Sequence, residues 1–285
     1  MKKLFQNKKA LWIACLALAG IAAVLQACAV LFCYEPNTNY FYSKNPLPLL
    51  AVICAILGAV SGSLAAFATD PTKLSRDPFS HQSIPAPSSF GFLAVVVLFL
   101  TSKQAATSKI TAYLVPLTAV ALLYSALYAI KPLRKRKTLF ALLGFGTLLS
   151  IVLLTAYYYF DVTVEMNAPL KLSVQTGLLF ALVYYTQEIR YLLGNEHPRA
   201  YLCLSACTVS VGSLSAVAAP IAYATGKLDR TDYAAGGLLV FCIVLTVLTR
   251  ISTLYRAIPE ETTTDMHEVT EATAPDTDGN GEKEA

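Results

Sequence analysis

Long apolar segments with few charged residues constrain this chain more than any other feature. Eight of them lie at about 10–33, 47–69, 87–102, 111–130, 138–160, 172–193, 200–225 and 233–254. Charged residues make up only 14% of the chain, about half their share in soluble domains, so little polar surface is available to cover a water-soluble core. A helix of about 20 apolar residues is long enough to cross a bilayer. The sequence therefore predicts an all-α fold, a polytopic transmembrane helix bundle with about eight spans.

The distribution of Lys and Arg between the segments predicts the orientation of the bundle. Cytoplasmic loops of membrane proteins carry an excess of these residues. With the N-terminus inside, sixteen Lys and Arg residues fall on the cytoplasmic side and six fall on the other side. Both termini are therefore predicted to be cytoplasmic, in a multi-pass protein of a cell membrane, for which we expect the cytoplasmic membrane of a bacterium.

The third segment is the shortest, and a half-span that does not cross is the alternative interpretation. Its strongly apolar part covers only 90–100. If the segment did not cross, however, the basic sequence KPLRKRK at 131–137 would lie outside, against the usual distribution of positive charge. We therefore expect a crossing helix over about 87–102 that begins near Pro87 or Ser88, because proline is tolerated in the first turn of a helix.

The charges divide the chain into a transmembrane helical domain, 1–256, and an acidic tail, 257–285. Nine of the 18 acidic residues lie in the tail, together with one Lys. Because the tail has few apolar residues to bury, we expect it to be a disordered cytoplasmic segment. The remaining basic surplus of the helical domain fits membrane orientation and anionic lipid, so lipid is an expected partner and nucleic acid is not.

Sequence motifs for catalysis or cofactor binding are lacking. The chain contains no phosphate-binding loop, no dinucleotide-binding glycine motif and no nucleophile elbow. The three histidines, His81, His197 and His267, fall outside the apolar segments, where they cannot hold a haem within the membrane. The seven cysteines form no CxxC pair and lie in or beside the spans, which is typical of small apolar packing residues. We therefore expect no cofactor, no metal and no catalytic residue, and an enzyme is the less favoured class.

Two ionisable residues inside the spans, Glu188 and Arg250, are the candidate functional residues. Charge within a membrane span is costly and indicates function by default. Both residues lie near the cytoplasmic ends of their spans, at similar depth, so two interpretations are open: an intramembrane ion pair, or two side chains that extend separately to the interface. Tyr184, Tyr185 and Gln187, beside Glu188, are candidates for a polar pocket that opens to the cytosol.

Glycine and alanine spacing predicts how the helices pack. Gly58 and Gly62 form a GxxxG pair in the second segment. Such pairs allow helix backbones to approach closely. We expect close contacts of this face within the bundle.

Two function classes remain open. The first is a non-enzymatic membrane subunit or sensor that binds a partner, either lipid or another membrane protein, through its helices. The alternative is a small-solute permease, which requires a polar path near the middle of the membrane. No carboxylate lies there for proton coupling, which favours the first class. Polar side chains available for such a path are Gln26, Ser61, Ser63, Ser125, Thr155, Gln175 and Thr176.

Overall fold

The computed structural model describes residues 8–42, 44–69, 86–102, 105, 108–128, 136–194 and 197–256. These residues form eight helices, which confirms the predicted all-α helical bundle. The helices are α1 (Lys8–Cys33), α2 (Leu47–Ala68), α3 (Ala86–Thr101), α4 (Lys109–Leu127), α5 (Lys137–Phe160), α6 (Pro169–Leu192), α7 (Pro198–Ala224) and α8 (Thr231–Arg256). Between α1 and α2, the two short strands β1 (Tyr34–Glu35) and β2 (Tyr40–Phe41) pair in antiparallel fashion. The tail predicted to be disordered, 257–285, lies outside the described residues.

Six of these helices, α1, α2, α4, α5, α7 and α8, are long and apolar enough to cross a membrane, which indicates an integral membrane protein. Helix α3 has 16 residues and is therefore about 24 Å long, less than the roughly 30 Å of a hydrocarbon core. Helix α6 is long enough, at 24 residues, but it carries Lys171, Glu188 and Arg190. Crossing by α3 and α6, and the orientation of the bundle, stay predictions from the sequence.

Proline and glycine mark the ends of the last helices in the bundle. Pro169 and Pro198 occupy the first turns of α6 and α7, where the missing N–H is not needed. Gly194 follows α6 with a φ of +84°, and Gly226 follows α7 with a φ of +68°. Glycine adopts this left-handed conformation without the steric cost of a Cβ, so each helix ends in a tight turn. These turns reverse the chain and place α6, α7 and α8 beside one another.

Helix α7 lies at the centre of the packing. It contacts α1, α2, α6 and α8, while α8 also contacts α3 and α6. Helix α4 packs between α3 and α5, and α5 packs on α6. Two α7 hydroxyls reach α6 carbonyls: Thr208 donates to Phe180 O at 3.2 Å, and Ser215 donates to Ser173 O. Because lipid supplies no such partners, these bonds hold α6 and α7 together within the bundle.

The GxxxG face of α2 makes the close internal contacts expected from its spacing. A Cβ placed on Gly62 would lie 2.5 Å from Ala206 Cβ and 2.8 Å from Cys15 Sγ. A Cβ on Gly58 would lie 3.0 Å from Ser210 Oγ. The prediction of close packing within the bundle is therefore confirmed, and the partners are α1 and α7.

Candidate functional site

Helices α6 and α8 bring Glu188 and Arg250 together. Arg250 Nε lies 3.3 Å from Glu188 Oε1, and the exposed fractions of the two side chains are 1% and 3%. Glu188 lies four residues before the end of α6, and Arg250 lies six residues before the end of α8. The helical rise of 1.5 Å per residue places them about 6 and 9 Å from those ends. The predicted residues thus form a buried contact rather than two separate side chains at the interface.

Tyrosines from three helices surround the carboxylate. The hydroxyl of Tyr184 donates to Glu188 Oε1 at 2.5 Å, and that of Tyr124 donates to Oε2 at 3.4 Å. Tyr201 donates to Oε1 at 3.5 Å, and its oxygen lies 3.1 Å from that of Tyr184. Hydrogen bonds to an ionised acceptor are stronger than neutral ones. We name Tyr124, Tyr128, Tyr184, Glu188, Tyr201 and Arg250 the Glu188 cluster.

Aromatic rings fill the space around this ion pair. Arg250 Cζ lies 4.4 Å from the centroid of the Tyr128 ring, a position in which the electron-rich face attracts the cation. The Tyr185 ring packs against Tyr124 and Phe92, with centroids 6.4 Å away in both cases. The cluster is therefore a packed joint between α4, α6, α7 and α8.

The residues proposed for a cytosolic polar pocket fall into different environments. Tyr184 and Tyr185 are buried, with exposed fractions of 0% and 2%. Gln187 is half-buried and forms no hydrogen bond with the described residues. The structure thus joins Tyr184 to the ion pair, places Tyr185 beside it and leaves Gln187 apart from it.

A second charged cluster, which the sequence analysis did not identify, lies at the opposite end of the bundle. Arg230 Nε donates to Asp232 Oδ1 at 2.9 Å, and its terminal nitrogen NH2 donates to Asp232 Oδ2 at 2.6 Å and to Asp161 Oδ2 at 2.8 Å. Tyr157 donates to Asp232 Oδ2 at 2.8 Å, and Tyr233 donates to Asp161 Oδ2 at 3.0 Å. Asp232 is fully buried. We name Tyr157, Asp161, Thr163, Lys171, Arg230, Asp232 and Tyr233 the Asp232 cluster.

This cluster joins the loop between α5 and α6 to the loop between α7 and α8. Lys171 Nζ donates to the carbonyls of Asp161 at 2.5 Å and Val164 at 3.0 Å. Burial alone would raise the pKa of Asp161, but hydrogen bonds from Thr163 and the charge of Arg230 outweigh it, so the pKa lies below its ordinary value. Burial would lower the pKa of Arg230, but Asp232 and Asp161 raise it well above its usual range. Both groups therefore stay ionised and paired.

Loop position explains why the Asp232 cluster was missed. Lys171 and Arg230 lie just outside the predicted spans 172–193 and 233–254, where a charged side chain is expected to be solvated. The spacing of Arg230 and Asp232, just before and within the first turn of α8, is the available signal. Helix N-termini favour acidic residues, and the neighbouring Arg supplies a counter-charge. Contact with Asp161, 69 residues earlier, depends on how the helices pack.

The two clusters are separated by a distance close to the thickness of a membrane. Lys171 and Glu188 lie on the same helix, 17 residues apart, so the distance between them along α6 is about 26 Å. The hydrocarbon core of a bilayer is about 30 Å thick. Each cluster contains equal numbers of acidic and basic side chains. The buried charges thus lie near the two predicted membrane boundaries. Within each cluster, the acidic and basic side chains neutralise one another.

The hydroxyl groups proposed for a polar path are bonded between neighbouring helices. Ser61 on α2 donates to Leu11 O at 2.8 Å, and Ser63 lies 3.2 Å from Cys203 Sγ on α7. Ser125 on α4 accepts from Ser88 Oγ on α3 at 3.2 Å. Different helix pairs use these side chains, so they do not meet in one place.

The remaining polar side chains from the same set line two separate grooves. Thr155 and Gln175 lie in a groove of about 400 Å³ between α5 and α6. Gln26 and Thr176 lie in a groove of about 570 Å³ formed by α1, α2, α6 and α7. The seven polar residues therefore do not converge on a single cavity. Within the described ranges, no group of three or more His, Cys, Asp or Glu side chains is placed to hold a metal ion.

Comparison with known proteins assigns no relative to this chain, because no protein family, no curated protein and no solved structure matches it.

Proposed function

We propose that this chain is a non-enzymatic membrane subunit or sensor that binds a partner or lipid through its helices. The observation that carries this proposal is the use of the interior polar groups. Most of them bond to a neighbouring helix, to their own helix or to one another. Gln175 Nε2, Gln26 and Thr176 form no such bond with the described residues, and they line two separate grooves and not a shared path through the bundle.

Two further features support a packed bundle. Thr118 and Ser150, near the middles of α4 and α5, lie 2.9 Å apart through their hydroxyl oxygens. Both side chains are buried, and so is Ser210 at the middle of α7. A permease requires water or solute to reach this depth in at least one of its states, whereas a packed subunit excludes them.

Thiol labelling from the aqueous phase tests the proposal. Thr118→Cys and Ser210→Cys place thiols at the middle of the bundle, and Val162→Cys places a control thiol in a loop, where Val162 is 93% exposed. Membrane vesicles are treated with a charged thiol reagent, and labelled peptides are resolved by mass spectrometry from those with native cysteines. We expect the reagent to label the control thiol at 162 in intact vesicles. The thiols at 118 and 210 should react only after a denaturing detergent has unfolded the protein.

The opposite result favours the permease. Labelling of both middle positions at a rate near that of the control would show an aqueous path and overturn the subunit proposal. Native Cys15 is fully buried and its sulfur lies 3.6 Å from Ser210 Oγ, so it is a second reporter at this position: it should stay unlabelled if the subunit proposal holds and be labelled with Ser210→Cys if the permease is correct.

A further inference from the structure

The groove of about 570 Å³ is the best candidate for a ligand site in the described part of the bundle. Pro48 and Pro169, in the first turns of α2 and α6, line it at the end of the bundle that carries the Asp232 cluster. Gln26 lies seven residues before the end of α1, about 10 Å from that end along the helix. The groove therefore runs through one half of the predicted bilayer, the outer half in the predicted orientation.

An unsatisfied amide lies in this groove. Gln26 lines it, is only 5% exposed, and forms no hydrogen bond with a described residue. Thr176, which lines the same groove from α6, also lacks a hydrogen-bond partner among the described residues. A polar group that is withdrawn from water without gaining a partner destabilises the protein. Lipid hydrocarbon offers no hydrogen-bond partner, so a ligand that brings its own polar atom would supply the missing bond.

Size and polarity indicate the class of ligand. Taking a methylene group as similar in volume to a water molecule, about 30 Å³ in the liquid, the groove of about 570 Å³ holds roughly one long acyl chain. Its other walls are mainly apolar, with Leu49, Val52 and Leu172 among them. The Gln26 amide and the Thr176 hydroxyl can both donate, and an ester carbonyl can accept from them.

We propose that the groove binds one acyl chain of a glycerophospholipid from the predicted outer leaflet, with an ester carbonyl accepting hydrogen bonds from Gln26 and Thr176. An ester group lies between the polar headgroup and the acyl chain, so a phospholipid of this leaflet brings a carbonyl to the half of the bilayer that contains the groove. This proposal does not depend on whether the chain is a subunit or a permease.

Photocrosslinking with a defined lipid tests the site. The full chain is reconstituted into phosphatidylcholine and phosphatidylglycerol vesicles that contain a trace of phospholipid with a diazirine in its acyl chain. Adducts are then mapped by mass spectrometry. Leu172 in the groove and Leu149 on α5, outside the groove, are 45% and 49% exposed, so they are matched in exposure. We expect at least threefold more labelling around Leu172.

Variants connect this excess labelling to the groove. Gln26→Leu and Thr176→Val, which keep the side-chain size, should each lower the excess at least threefold, and Val52→Trp should abolish it by filling the groove. Leu149→Trp is the control and should leave it unchanged. Size-exclusion elution and melting temperature establish that each variant is folded. If Gln26→Leu does not fold, Thr176→Val still tests the proposal.

An ether-linked version of the same labelled lipid identifies the polar contact. This lipid lacks ester carbonyls, so with the unmodified protein it should give labelling around Leu172 as low as that of Gln26→Leu with the ester lipid. With the ether lipid, Gln26→Leu should lower the labelling no further. Equal labelling around Leu172 and Leu149, or an excess that survives Val52→Trp, would overturn the proposal. So would a crosslink that joins the groove to a helix of another protein instead of lipid.

Discussion

Removing the negative charge from the Glu188–Arg250 pair should strongly destabilise the bundle. Glu188→Gln leaves the Arg250 guanidinium, which is 1% exposed, without its counter-ion. Loss of one partner from a buried ion pair typically costs about 3–5 kcal/mol. With a shift of about 2–4 °C for each kcal/mol in proteins of 150–250 residues, we expect the melting temperature to fall by roughly 6–20 °C.

The reverse substitution and the double variant complete a thermodynamic cycle. Arg250→Met leaves Glu188 with the hydroxyl donors of Tyr184, Tyr124 and Tyr201, so it should cost less than Glu188→Gln does. The double variant removes both charges and should recover much of the loss, because well-packed neutral side chains often replace buried pairs without cost. The coupling free energy should therefore lie at or above the upper end of the range of about 0.5–3 kcal/mol found for residues in direct contact.

Thermal unfolding in detergent, followed for all three variants, measures this cycle. Arg199→Ala is a matched control, since it removes a positive charge from an exposed side chain in the first turn of α7. Exposed substitutions of this kind usually change stability by less than about 0.5 kcal/mol. Small, additive effects of Glu188→Gln and Arg250→Met, no larger than that of the control, would refute a stabilising contact between the two side chains.

Three further predictions test other parts of the structure. The pKa of Asp161 lies below its ordinary value of 3.8, so ionised Asp161 should stabilise the folded protein fully above pH 3.8, and this stabilisation should be lost as the pH falls below that value. In the Asp161→Asn variant, the melting temperature should therefore depend less on pH in this range. Gly62→Ala should destabilise by about 1–3 kcal/mol through overpacking, whereas Gly20→Ala, with nothing within 4 Å of the added Cβ, should not; chemical denaturation compares them. Reporter fusions after Lys137 and Lys171 should give cytoplasmic and external signals, and a cytoplasmic signal after Lys171 would contradict the predicted orientation.

The sequence was sufficient to locate the helices. Spans predicted at 47–69 and 138–160 correspond to helices at Leu47–Ala68 and Lys137–Phe160, because long apolar runs between charged or proline-containing loops leave few other choices in a membrane. It also identified Glu188 and Arg250 as candidates, since charges within spans are rare. The predicted start of α3 near Pro87 or Ser88 is close to the observed Ala86.

Side-chain partners depended on the tertiary structure. Arg230 and Asp232 are neighbours in the sequence, but only the packing of α5, α6 and α8 brings Asp161 within hydrogen-bond distance of Arg230. Likewise, Gln26 and Thr176 were candidates for an interior polar path, but only the packing of the helices places both of them in one groove. The length and apolar composition of a segment determine whether it becomes a helix, because burial in lipid depends on each segment's own composition. Contacts between helices depend on the relative rotation and depth of several segments at once, and those are decided only when the bundle packs.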